Sequence, residues 1–236
     1  MPLSRARVVQ GLLSLYAAPR YLEIGVSQGA TFHSVKAARK VAVDPQFDFD
    51  VAAARASWPE AHYHGVTSDE YFGRIASPSE RFDVIFLDGL HTFEQTLRDF
   101  TNAIHIVAPD GVIVIDDITP DSHFAAIRDL AVFRTLRGMN IATSASWMGD
   151  VYRLAFFIET FFQQFTYRTV ADNHGQLIVW RGRRPSVPER SVEAIARTTY
   201  EDVILQPDVF QRLPFAEIVT ELRDRLELPA PPFAAG

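Results

Sequence analysis

Two periodicities alternate along the first half of the chain. Short apolar runs bounded by glycine or aspartate read as strands, and stretches with apolar residues every three or four positions read as helices. Tyr21-Leu22-Glu23-Ile24 is a strand stopped by Gly25, and residues 31–39 predict the helix after it. Val41-Ala42-Val43 is a second strand ending at Asp44-Pro45, followed by a helix over 51–58 and a third strand over 62–66. Residues 82–87, interrupted only by Asp83 and closed by Asp88, form the clearest strand. Thr92 opens the most regular helix, with Gln95 placed as in a capping box and the stripe Phe93, Leu97, Phe100, Ile104, Val107 on one face. Pro109-Asp110-Gly111 is expected to end that helix and turn into a strand over 112–115, closed by Asp116-Asp117. Apolar strands alternating with amphipathic helices predict an α/β fold, a mostly parallel sheet with helices on both faces.

The second half is looser. A helix is expected over 124–136, then an irregular stretch through Trp147-Met148-Gly149-Asp150, then a run rich in aromatic residues over 151–162. Residues 165–170 and 177–180 predict an antiparallel hairpin. A basic, proline-marked linker starts at Arg181, and two further helices and a Pro-Ala tail are expected beyond it. This divides the chain into a main domain, 1–182, and a C-terminal helical extension, 183–236.

Composition narrows the function classes. With 236 residues, 47% of them hydrophobic and 22% charged, the chain suits one large domain or one with a modest appendage, and not a disordered chain. It has no cysteine, which excludes a disulfide scaffold, a thiolate metal site and a cysteine nucleophile. A net charge of −6 argues against a nucleic-acid-binding surface. No apolar run approaches the roughly 18 residues of a membrane span. Residues 1–18 superficially resemble a secretory leader, but Gln10, Gly11 and Ser14 interrupt the apolar stretch, and Val8, Leu12, Leu15 and Tyr16 fall at helical spacing. They read as an amphipathic helix covering the sheet edge, in a cytoplasmic protein.

Candidate chemistry sits at the strand ends, where open α/β sheets bind ligands. Glu23-Ile24-Gly25-Val26-Ser27-Gln28-Gly29 is a strand-to-helix turn in which glycine lets a ligand approach the backbone. It departs from the dinucleotide fingerprint, because Ser27 stands where the second glycine belongs and the next glycine comes one residue late. That spacing argues for a ligand without a pyrophosphate. Asp44, 19 residues past Gly25, is placed to accept hydrogen bonds from ribose hydroxyls.

On these residues, the stretch from Tyr21 to about Asp117 resembles a class I S-adenosylmethionine-dependent methyltransferase domain. The resemblance implies a Rossmann-like doubly wound sheet ending in an antiparallel strand pair. It places Glu23 near the methionine amino group, Gly25, Ser27 and Gly29 beneath the cofactor, Asp44 on the ribose, and Thr67-Ser68-Asp69 near the adenine, with Ser68 as a contact. Asp88-Gly89-Leu90-His91 and Asp116-Asp117 then bring three carboxylates and an imidazole to the methyl end. Such carboxylates stay ionised together only if a cation or donors compensate them, and an oxygen-rich set suits Mg²⁺. The D-G-x-H…D-D arrangement resembles metal-dependent natural-product and sugar O-methyltransferases of the macrocin and mycinamicin type. That implies Mg²⁺ on Asp88, Asp116 and Asp117, His91 as the base, Asp88 as a catalytic group as well as a cofactor contact, and a small hydroxylated substrate.

Other readings stay open on the sequence. Strand-end aspartates also cap helices, and His91 precedes a helix start. A metal-independent N-methyltransferase or a non-catalytic cofactor-binding module would use the same loop. A nicotinamide dehydrogenase is disfavoured by the glycine spacing. His62 and His64, and likewise His33, His105, His123 and His174, read as surface or packing residues, with His123 near enough to the acidic pair to face the site. The aromatic run reads as core or a homo-oligomer interface, Trp147 to Asp150 as a lid, and Arg181 to Arg184 as solvated.

Overall fold

Residues 3–142 and 146–228 are described by the structure, a computed structural model. The expected Pro-Ala tail lies outside them. The strands β1 (Arg20–Ile24), β2 (Arg39–Val43), β3 (Ala61–His64), β4 (Phe82–Leu87), β5 (Val107–Ile115), β6 (Phe165–Val170), β7 (Leu177–Arg181) and β8 (Arg212–Leu213) form one sheet in the order β3-β2-β1-β4-β5-β7-β6-β8. The first five are parallel, β7 runs antiparallel between β5 and β6, and β8 closes the far edge parallel to β6. This is a Rossmann-like, doubly wound topology with an antiparallel strand pair at one end. The order reverses between β1 and β4, so the loops after these two strands diverge and leave a crevice at their C-terminal ends.

Alternate strand residues face opposite layers. Leu22, Ile24, Ile85, Leu87, Ile113 and Ile115 point to one face, which is covered by α4 (Phe93–Ile106) and the aromatic α6 (Arg153–Phe161). Tyr21, Ala42, Val84, Phe86, Val112 and Val114 point to the other, which is covered by α1 (Arg5–Leu13) and α9 (Phe215–Arg225). The N-terminal helix therefore forms as its periodicity predicts, but it lies against the central strand β4 and α9 rather than over a sheet edge. Most of the aromatic run is core, with Leu154, Ala155, Phe156 and Ile158 fully buried. The C-terminal segment joins both layers, through Ile195, Val203 and Phe210 on one face and Ile218 and Leu222 on the other.

Four local expectations are corrected. Residues 31–34 form turns and 35–38 an irregular stretch, not a helix, and Arg39 already begins β2. The carbonyls of Phe32 and Val35 are taken by the buried ammonium of Lys40, and the Lys36 N–H by Gln10, so the helical ladder loses its partners. Pro109-Asp110-Gly111 lies inside β5 as an irregularity between the pairs Phe82↔Val107 and Val84↔Val112. Thr92 is the N-cap of α4 but makes no capping box. Gln95 donates instead to Ser68, Asp69 and Asp99, and the Phe93 N–H is satisfied by Asp150. The helix expected over 124–136 is α5 (Leu130–Gly138), started by Asp129, whose carboxylate accepts from the N–H groups of Ala131 and Val132.

Candidate active site

A cavity of about 720 Å³ opens at the C-terminal ends of β1, β2 and β4. Glu23, Gly25, Ser27, Asp44, Ser68, Asp88 and His91 all line it, so one cleft collects predicted residues from four separate segments. Gly25 has φ +83°, and a Cβ there would sit 2.0 Å from the carbonyl oxygen of Asp88. Any side chain would therefore push the loops after β1 and β4 apart. Asp44 braces the glycine turn from beneath. Its Oδ2 accepts the N–H groups of Val26 (2.8 Å) and Ser27 (2.9 Å), and its Oδ1 accepts that of Gln46. Gly29 closes the turn through its N–H to the carbonyl of Val26. Glu23 is buried and accepts the Tyr21 hydroxyl at 2.5 Å. Burial holds its pKa well above the usual carboxylate range despite that bond, and Asp88 and Asp116 add repulsion. Ser68 caps the far end, held by the Gln95 amide at 3.1 Å.

The acidic cluster lies at the other end. Asp116 and Asp117 follow β5 and are each 2% exposed. Asp117 takes a left-handed backbone, φ +58°, a strained conformation of the kind that persists where surrounding structure fixes it. His91 joins the two acidic sets, with Nδ1 3.0 Å from Asp117 and Nε2 3.5 Å from Asp88. Nδ1 also contacts the carbonyl of Trp147 at 2.9 Å, and the Trp147 ring stacks on the imidazole at 4.9 Å. Both partners of Nδ1 only accept, so Nδ1 carries the hydrogen and Nε2 is the atom free to exchange a proton. Burial opposes the charged ring, but the hydrogen bonds to Asp117 and Asp88 outweigh it and push the His91 pKa up to about 11. Asp88 is raised, by burial first and then by the nearby Asp116.

Sequence reasoning missed two residues here. Arg5, from the first turn of α1, pairs through Nε with Asp116 and through Nη2 with Asp117. His174, read as surface or packing, contacts Asp116 Oδ1 through Nε2 at 2.6 Å. Burial works against a low pKa for Asp116, but the His174 hydrogen bond and the charges of His174 and Arg5 hold it below the usual range. The hairpin carried the signal for His174. Pairing Ile115 with Leu177 places the β6–β7 turn beside the end of β5. Among the remaining histidines, His33 stacks on Trp58 and His123 is exposed beside Glu201. Arg184 is not merely solvated, since it binds the carbonyls of Ile158 and Glu159. The segment expected as a lid is anchored. Asp150 is held by Arg128 and Arg153, and Trp147 Nε1 donates to Ile127.

A divalent cation fits these donors. Two sets, Asp88/His91/Asp117 and Asp116/Asp117/His174, bring one ligand atom per residue within 4.8 Å of one another. Asp116 Oδ2 and Asp117 Oδ2 are buried oxygens whose near neighbours are Arg5 and His91 respectively.

Comparison with known proteins agrees with this picture. Residues 22–118 match the family described as a methyltransferase domain. No curated protein matches the sequence. Among solved structures, a Staphylococcus aureus protein provisionally named a caffeoyl-CoA O-methyltransferase is similar over 76% of this chain and 85% of its own, at 12% identity and a TM-score of 0.52. The O-methyltransferase TomG of Streptomyces achromogenes, involved in tomaymycin synthesis and solved with S-adenosylmethionine, is similar over 76% of this chain and 81% of its own, at 16% identity and a TM-score of 0.51. The mycinamycin-pathway methyltransferase MycE, solved with Mg, is more distant (16% identity, 74% of this chain, 48% of its own, TM-score 0.45), and no residue role is taken from it. Residues 22–118 thus carry the match to a methyltransferase domain, and the chain shares its fold with these O-methyltransferases.

Proposed function

We propose that this enzyme transfers the methyl group of S-adenosylmethionine to a hydroxyl of a small secondary metabolite or sugar, assisted by a divalent cation such as Mg²⁺. The observation that carries the reading is that Asp88 and His91, on the wall of the glycine-loop cavity, adjoin the buried pair Asp116 and Asp117. A hydroxyl is a weak nucleophile until it loses its proton, and a cation site beside an imidazole serves that step. TomG, an O-methyltransferase of secondary metabolism with the same fold, is in keeping with this acceptor class.

S-adenosylmethionine supplies an electrophilic sulfonium methyl group when bound. The Gly25 turn admits it against the backbone, Asp44 is placed for its ribose, Ser68 for the adenine, and Glu23 for the methionine amino group. In this reading Asp88, Asp116 and Asp117 would hold a divalent cation, whose Lewis acidity would lower the pKa of an acceptor hydroxyl. While Asp88 and Asp117 are both free to hold it, His91 is an imidazolium. Once either carboxylate is engaged elsewhere, Nε2 is the atom that takes the hydroxyl proton, with Nδ1 kept in place by the Trp147 carbonyl. The acceptor oxygen forms its bond to the methyl carbon as the carbon–sulfur bond breaks. Positioning by this frame supplies up to about 7–11 kcal/mol of the barrier reduction.

The test is transfer of radiolabelled methyl from S-adenosylmethionine to a panel of hydroxylated and amine acceptors, with EDTA and with Mg²⁺ restored. The expected result is turnover on hydroxyl acceptors that EDTA abolishes and Mg²⁺ restores. In His91→Gln it should fall by about 10²–10⁴-fold, the range of a general base. Turnover confined to amines and indifferent to EDTA contradicts the reading.

A further inference from the structure

The acidic pair Asp116–Asp117 is missing from the cavity wall, while Arg5, which pairs with both, is part of it. Arg5 Nε also donates to His174 Nε2 at 3.1 Å, so the two side chains that contact Asp116 approach it from one side. The backbone reinforces this arrangement. The Leu3 N–H donates to the Asp172 carbonyl, which joins the start of α1 to the hairpin turn that carries His174. Arg5 occupies an unfavourable local position. It stands in the first turn of α1, which has no acidic residue, so its charge faces the positive end of the helix dipole. The carboxylates offset that cost. The guanidinium is still 40% exposed, whereas the two aspartate side chains are 1% and 2% exposed, so a cation approaching from the cavity meets Arg5 first.

We propose that Arg5 is the resident counter-cation of Asp116 and Asp117, and that a divalent metal and the Arg5 guanidinium are alternative occupants of this pair. The inference rests on the metal-assisted reading above. Two cations cannot share the same two carboxylates without repulsion at short range. Metal entry therefore withdraws Arg5 and loosens the first turn of α1 from the hairpin turn. Metal affinity is reduced by the fraction of time Arg5 holds the pair. The chain thus keeps its acidic cluster compensated when no metal is bound, and loading is coupled to the N-terminal helix that walls the cofactor cavity.

Mn²⁺ binding to the full chain, followed by loss of the free-ion electron paramagnetic resonance signal, tests this without an activity assay. Arg5→Gln is expected to bind Mn²⁺ tighter by on the order of tenfold or more. In the wild type, Mn²⁺ should speed amide hydrogen exchange over residues 3–8. Equal or weaker Mn²⁺ binding by Arg5→Gln, no binding by either protein, or unchanged exchange in the wild type overturns the proposal. Calorimetric binding of S-adenosylhomocysteine by both proteins checks that the cavity is intact. Its absence from the wild type would instead sink the methyltransferase reading. If Arg5→Gln does not fold, the wild-type exchange measurement decides alone.

Discussion

Single residues set the site through backbone contact as much as through side chains. Gly149 has φ +62°, and a Cβ there would lie 1.8 Å from the His91 carbonyl oxygen, so this glycine lets the 146–150 segment press against the loop that carries the imidazole. Gly149→Ala is expected to cost about 1–3 kcal/mol in urea unfolding and to lower turnover by displacing His91. Unchanged stability would refute that packing role. Asp99, on α4 beside Ser68, is buried, and burial pushes its pKa up to about 6 against hydrogen bonds from Ser68 and Gln95. A raised carboxyl pKa means that the native state holds the proton more tightly than the unfolded state. Stability is therefore lost as pH rises from about 4 through about 6. Asp99→Asn removes that loss. Its stability relative to the wild type should improve between about pH 4 and pH 7 by on the order of 1–3 kcal/mol, and a flat difference would contradict the assignment. The strand-end aspartates and His91 were legible because each follows an apolar run that can only be a strand. Arg5 and His174 were not, because neither lies near Asp116 in sequence.

Elements were read well where one periodicity dominated and poorly where side chains competed for the backbone. β1 to β5, α2 (Val51–Ser57), α4 and the β6–β7 hairpin follow their hydrophobic patterns. The failed helix over 31–39 had a helical pattern, but Thr31, Phe32, His33 and Val35 have low helix propensity, and Lys40 and Gln10 took its hydrogen bonds. Pro109 and Gly111 read as a turn because both disfavour strands, yet β5 absorbs them as a bulge, the usual exception. α1 is where the element scale meets function, since the helix that covers β4 also delivers Arg5. Leu12, fully buried between this helix and the sheet, is a direct probe. Leu12→Ala should cost about 2–5 kcal/mol by denaturant titration. A loss below about 1 kcal/mol would mean that the helix is only loosely docked.

At the scale of the whole molecule, the strand order explains why residues distant in sequence share one cavity. The reversal between β1 and β4 creates the crevice, and the antiparallel β7 returns the chain to the end of β5 with His174 in the turn before it. The fold class and the glycine-loop end of the cavity were therefore legible from local patterns. The compensation of the acidic end was not, because it depends on how the N-terminal helix and the terminal hairpin meet over β5. The central claim is that this cavity binds S-adenosylmethionine through the Gly25 turn. Calorimetric titration of S-adenosylmethionine into metal-stripped protein tests it most directly. The account predicts one-to-one binding in the micromolar range for the wild type and none for Gly25→Val, whose side chain would occupy the space of the Asp88 backbone. No binding by the wild type, with or without Mg²⁺, would contradict it.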